Sequence, residues 1–166
     1  MMAAVTLSAT GARVSQQAAH YRFKTYATFS GRAARRVTMW GMTSEELRDC
    51  CLSFLGSEEE FPFGPETSVF KVAGRIFALS RLAQTPVRVS LKCDPTLAEQ
   101  LRGAHPAVIP GFHLNKRHWN TVIIDGSLPE TMIADMIEDS YDLVVSKLSR
   151  ARRRALGWRD DGGKCP

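Results

Sequence analysis

Residues 67–92 read TSVFKVAGRIFALSRLAQTPVRVSLK. Thr67–Ala73 and Ile76–Leu82 are β-branched and aromatic runs joined at Gly74-Arg75, a short hairpin signal. A third run, Val87–Lys92, follows the breaker Gln84-Thr85-Pro86. Side chains alternate across a strand, so Val87, Val89 and Leu91 share one face and Arg88, Ser90 and Lys92 the other. The first face belongs in a core. The second belongs in solvent or against an anion. Three strands with such short links must pair antiparallel.

Upstream, Thr43-Ser44-Glu45-Glu46 is a capping box: the Thr43 hydroxyl accepts the Glu46 amide while the Glu46 carboxylate reaches back. Leu47, Cys50, Cys51, Phe54 and Leu55 make the apolar stripe of a helix, and Gly56 stops it. Glu58–Glu66 reads as a Pro/Gly-broken connection with two aromatic anchors, Phe61 and Phe63.

Downstream, Asp94 as N-cap and Pro95 at the first helical position open a short helix with Leu97 and Leu101 inward, ended by Gly103. Residues 104–118 read as a loop with a short extended piece. Trp119–Asp125 is a strand ending in Asp125-Gly126. Pro129 opens a long helix with Ile133, Met136, Ile137, Tyr141, Val144, Val145 and Leu148 along one side. Ser149 caps a last turn, Arg150–Leu156. The order helix, three strands, helix, two strands, helix predicts an α+β fold. This is a two-layer sandwich, with an antiparallel sheet of about five strands and the helices gathered on one face.

The 166 residues are 44% apolar and 23% charged, enough for one domain with a core. No apolar run approaches the ~20 residues of a membrane-spanning helix, so no membrane partner is expected. Cys50, Cys51, Cys93 and Cys165 contain no C-x-x-C pair, which reads as a reduced protein of the cytoplasm. Residues 1–41 carry Arg13, Arg22, Lys24, Arg32, Arg35 and Arg36 and no acid; they read as a disordered basic leader. Residues 42–158 form the domain, and 159–166 a disordered tail.

The formal charge of +5 therefore belongs to the leader, because residues 42–166 hold 16 basic and 17 acidic side chains. Within the body, Val69–Trp119 is again basic: Lys71, Arg75, Arg81, Arg88, Lys92, Arg102, Lys116 and Arg117 face only Asp94 and Glu99. Acid flanks this stretch at Glu58, Glu59 and Glu60 and at Glu130, Asp135, Glu138, Asp139 and Asp142. The strand alternation puts Arg88 and Lys92 on the open sheet face, where Lys71, Arg81 and Trp119 join them if the register allows. A polyanion reading requires these cations to converge.

FPFGPETSVFKVAGRIFAL (61–79), VSLKCDP (89–95) and HLNKRHWNTVIIDGSLP (113–129) resemble the MmcQ/YjbR family of small bacterial proteins, over about Met42 to Leu156. The resemblance implies a two-layer domain with an antiparallel sheet. It also implies DNA binding, with two hairpin wings gripping the duplex. The wing candidates on this chain are the turn at Gly74-Arg75, the turn at Gln84-Thr85, and the loop with His113, Asn115, Lys116, Arg117 and His118. The expected DNA-binding set is Lys71, Arg75, Arg81, Arg88, Lys92, His113, Asn115, Lys116, Arg117 and Trp119. Cations neutralise phosphates, Asn115 suits a base edge, and an aromatic can stack.

The other constellations are weaker. His113 and His118 stand five apart without a nearby Cys or acid, so they read as hydrogen-bonded structural histidines and no metal is expected. Cys93 sits beside Lys92 and a helix start, but alternation puts it with Val89 and Leu91 as a small buried residue. There is no G-x-G-x-x-G, P-loop or H-E-x-x-H, so no cofactor and no enzymatic role are expected. The alternative is an adaptor whose open sheet face meets a protein, a ligand or a second copy of the chain, with Phe77 or Trp119 as anchors.

Overall fold

The computed structural model describes residues 41–158. The leader, Gly41 apart, and the tail lie outside the described residues. The elements are α1 (Ser44–Leu52), β1 (Ser57–Glu60), β2 (Ser68–Val72), β3 (Arg75–Ser80), β4 (Val87–Lys92), α2 (Pro95–Ala104), β5 (Val108–Pro110), β6 (Trp119–Ile124), α3 (Glu130–Ser146) and α4 (Arg150–Ala155). The six strands form one antiparallel sheet in the order β1-β2-β3-β4-β6-β5. The fold is the α+β two-layer sandwich that the element order predicts.

The caps form as the sequence dictates. Thr43 and Glu46 make the reciprocal capping box of α1. Asp94 Oδ1 accepts from Thr96 N at 2.9 Å at the start of α2. The Ser149 side chain accepts from Arg152 N at the start of α4. Gly103 does not stop α2, which runs through Ala104 before His105 ends it.

The sheet has one strand more than expected. β1 (SEEE) has no apolar alternation, and it lies within or beside the stretch read as a connection. It pairs along its length with β2, and its carboxylates meet cations on both sides. Arg48 of α1 donates from Nε and Nη2 to Glu59 Oε2, both at 2.7 Å, on the helix side. Lys71 of β2 pairs with Glu60 on the other side. Charged side chains on a short edge strand also discourage pairing with another chain.

The core lies between the sheet and the helices. Phe70, Phe77, Val72, Val89 and Val122 are fully buried against Leu47, Ile133, Ile137, Val144 and Val145. Tyr141 stacks on Phe54 at 4.8 Å between centroids and meets the Phe77 ring edge-on at 5.5 Å. Asn120 holds α2 on the same face: its Nδ2 donates to Ala98 O, and its Oδ1 accepts from Arg102 Nη1 at 2.8 Å.

One irregularity corrects the expected place of Phe77. Phe70 pairs with Ala78 and Lys71 with Ile76, so Phe77 is an extra residue in β3. This bulge breaks the strict alternation. Phe77 and Ala78 both turn to the helix layer and are fully buried. Phe77 is therefore a core residue, not an anchor on the open face, and its truncation to Ala costs about 3–5 kcal/mol. The β3–β4 ladder starts only at Ala78–Leu91. Ser140 of α3 fills the gap, accepting from Lys92 N at 2.8 Å and donating to Phe77 O at 2.5 Å. That pins the end of β4.

Candidate nucleic-acid interface

An antiparallel sheet sends alternate connections to opposite ends. β2 and β4 run one way, β3 and β6 the other, and β5 runs with β4. The Gly74-Arg75 turn, the last residue of β4 and the β5–β6 loop (111–118) therefore share one end of the sheet. The β1–β2 and β3–β4 connections lie at the other. Of the three wing candidates, two are neighbours and the third, Gln84-Thr85, is on the far end with Arg81. The two neighbouring turns are three strand spacings apart, about 14 Å.

Between them stands Lys92, whose cross-strand partner is Trp119. The Lys92 ammonium lies 5.3 Å from the Trp119 ring centroid, a cation–π contact. Burial first, then the like charges of Lys147 and Arg75, hold its pKa below the usual lysine value. Two further cations, from two other parts of the chain, thus act on Lys92. Lys147 was not anticipated: it follows α3 and is 55 positions from Lys92, and only the packing of α3 on the sheet brings it there. Arg75, Lys116, Arg117 and Lys147 are exposed, and none of them, nor Lys92, is ion-paired among the described residues.

The β5–β6 loop is held in place from several sides. Gly111 N donates to Trp119 O at 3.0 Å, and His118 N to Asn115 O at 3.0 Å. Cys93 N donates to His118 O at 2.9 Å, and Arg102 Nη1 to Lys116 O at 3.0 Å. Arg102 is thus a support for the loop on the helix side and not part of the free cation set. Asn115 uses its side-chain oxygen to accept from Arg117 N, so it shapes the turn before any base edge. His113 and His118 are exposed and make no side-chain hydrogen bond among the described residues, contrary to the structural role expected of them.

The remaining expected residues scatter. Lys71 is neutralised by Glu60. Arg81 is exposed at the opposite end. Arg88 lies on the open face opposite Ile123, half-buried, with its Nε shielded and unpartnered. The open face itself is less open than alternation implies: Val69 is fully buried and Thr121 nearly so, while Ser90 and Thr121 bond through their hydroxyls at 2.9 Å.

Cys93 is half-buried, and its thiol is pushed up to about 12, by burial first and then by Asp139 and Asp94. It stays protonated at neutral pH. Among the described residues no group of three His, Cys, Asp or Glu side chains gathers as metal ligands, and no helix is long and apolar enough to cross a membrane.

A family model described as YjbR matches residues 52–143, and the chain is 38% identical over 115 residues to the uncharacterised protein YjbR of Escherichia coli K12, covering 69% of this chain and 98% of that one. The chain belongs to the YjbR family. The uncharacterised protein YbdF of Escherichia coli O157:H7 is 39% identical over 96 residues, 58% of this chain and 79% of that one. The crystal structure of DR2400 from Deinococcus radiodurans is similar with a TM-score of 0.68 at 42% identity, over 78% of this chain and 99% of that one. A protein from Pseudomonas syringae is similar with a TM-score of 0.54 at 27% identity, over 61% and 98% of the two chains. The stretch matching the YjbR model contains both neighbouring turns, Lys92 and Trp119. Lys147 and the arginines of α4 lie beyond it.

Proposed function

We propose that this YjbR-family chain is a non-enzymatic DNA-binding protein that grips duplex through two basic turns at one end of its sheet. The observation that carries this is the juxtaposition of Arg75, Lys92, Lys116 and Arg117 on two neighbouring hairpin turns and the strand end between them, without carboxylate partners among the described residues. Turns about 14 Å apart suit a duplex whose major groove is about 12 Å wide. The contacts are to phosphate, so binding is weakly specific. The acidic residues Glu138, Asp139 and Asp142 lie on α3 in the helical layer, and of these Asp139 comes within electrostatic range of Cys93.

The test is the salt dependence of binding by the full chain, read by fluorescence anisotropy on a labelled duplex. Four phosphate contacts give a slope of log affinity against log salt near −3.6, or about 10²-fold weakening from 50 to 200 mM. The leader is basic too, so the variants carry the decision. Lys116→Ala with Arg117→Ala should flatten the slope by about 2. If removing all four cations leaves the slope unaltered, the body does not bind DNA and the reading is refuted.

A second reading is a protein-binding adaptor or homodimer. The half-buried row Ile76, Leu79, Ile109 and Ile123 on the open face favours it. Sedimentation separates the two. A dimer that dissociates on Ile123→Asp and does not bind duplex supports the adaptor.

A further inference from the structure

The β5–β6 loop carries an aromatic side chain that neither the fold nor the cation cluster uses. Phe112 is 74% exposed, more than the other exposed large hydrophobics Leu55, Phe61 and Phe63. A lone exposed apolar residue is ordinary on a protein surface. This one differs in how it is held. Gly111, before it, is buried, and a Cβ there would stand 2.8 Å from Trp119 Cβ and 3.1 Å from Trp119 O. His113, after it, has φ +55°, a left-handed conformation that a non-glycine residue rarely adopts. The two rings touch edge-to-face with centroids 4.0 Å apart. The loop is tied to β6, to Cys93 and to Arg102 by the hydrogen bonds described above. The chain is thus fixed around a phenylalanine that gains no core packing.

Its electrostatic surroundings select the occupant. Phe112 stands on the loop of Lys116 and Arg117. Phe61 and Phe63, 50% and 66% exposed, follow Glu58, Glu59 and Glu60 and precede Glu66 at the opposite end, where a polyanion is repelled. An exposed aromatic on a braced loop that also carries unpaired cations matches a stack of bases flanked by phosphates. Proteins that deform duplex insert such apolar wedges between base steps.

We propose that Phe112 is a wedge that enters the base stack of the bound duplex and partly unstacks one step. The proposal rests on the DNA-binding reading and adds to it the mode of contact. The cations hold the backbone, and the ring opens the stack.

The experiment uses the full chain and a set of duplexes with 2-aminopurine at successive positions. Its fluorescence rises on unstacking. Binding should raise the signal about twofold or more at one or two steps. Phe112→Ala should abolish that rise and weaken binding about fivefold or more, with the salt slope unchanged. Phe112→Leu, still an apolar wedge, should keep part of the rise. Thermal melts should match for all three chains, because the side chain is exposed. Phe112→Ala that binds and brightens like the parent overturns the wedge while the phosphate grip stands. A signal confined to single-stranded oligonucleotide also overturns it. Absence of any salt-dependent duplex binding removes both readings together.

Discussion

The two ends of the sheet are built from the same kind of parts and carry opposite charge. At one end the β2–β3 turn, the tip of β4, the β5–β6 loop and the residue after α3 present Arg75, Lys92, Lys116, Arg117 and Lys147, with Asp94 as an exception. At the other, the connections after β1 and β6 present Glu66 and Asp125, beside Glu60 at the tip of β1, with Arg81 as an exception on the β3–β4 link. Each end also displays phenylalanine: Phe112 on the first, Phe61 and Phe63 on the second. The difference shows how an antiparallel sheet sorts charge. Successive turns alternate ends, so a run of cations mixed along the chain separates in space. The eight central basic residues do not all converge. A subset does, and strand direction chooses it.

The sharpest way to break the contrast is to reverse charge at each end in turn. Lys116→Glu with Arg117→Glu should lower duplex affinity about 10²-fold at low salt, whereas Arg81→Glu should change it less than about threefold. Equal losses at both ends, measured by anisotropy, would mean the ends are not functionally distinct.

The geometry of the basic end can be tested next. Gly111→Ala pushes a methyl into Trp119 Cβ and O and should destabilise the fold by about 1–3 kcal/mol in urea melts. Gly74→Ala, by contrast, meets nothing within 4 Å, and its cost comes from φ +74° alone, about 1 kcal/mol. A similar fall for both would place no special close approach at Gly111.

Ser140→Ala leaves Lys92 N–H and Phe77 C=O without the hydroxyl that joins them. A loss of about 1–3 kcal/mol is expected. Hydrogen exchange should show Lys92 as the amide whose protection falls most, since the serine closes the gap that the Phe77 bulge opens.

Tyr141 gives an alkaline signature. Burial first, and then Asp142, push its phenol up to about 12 from an ordinary 10.0, and its hydroxyl donates to Leu55 O at 2.7 Å. The folded pKa is the higher one, so this contribution is whole below pH 10 and is lost as pH rises towards about 12. Tyr141→Phe should lose about 1 kcal/mol at neutral pH and no longer show that fall. Urea midpoints collected from pH 9 to 12, about the range that matters, test it.

Lys92 is held below its ordinary value of 10.5, so its charged form opposes folding at neutral pH. That penalty fades as pH rises through the lowered folded value towards 10.5, and stability rises with it. Lys92→Met should raise the melting temperature by about 1–2 °C at pH 7 and weaken duplex binding. A lysine whose removal stabilises the fold but weakens binding serves binding. A variant that loses stability and keeps affinity would place Lys92 among the structural cations.

Much of this was readable in the chain before folding. Caps are local: Thr43 with Glu46, Asp94 with Pro95, and Ser149 each satisfy amides a few residues away. Strand alternation on β4 depends on nearest neighbours, and it placed Arg88, Ser90 and Lys92 on the open face. Where the local signal was charge rather than hydrophobicity, as in Ser57–Glu60, the strand was invisible. It is held by its ladder to β2, and its carboxylates are met by Arg48 and Lys71, 11 residues away in each case.

The element types, the caps, the sign of the charge on each segment and the family resemblance can all be read along the chain. All of these depend on short spacings or on a linear string. Folding was needed to turn Phe77 inward at a bulge and to bring Arg102 under a loop as its brace. It alone decided that Gln84-Thr85 lies at the opposite end of the sheet from the Gly74-Arg75 turn and the β5–β6 loop, and that Lys147 acts on Lys92 together with Arg75. Those facts depend on strand order and on α3 lying across the sheet, and both arise from burying apolar surface between layers, not from any contact close in the chain.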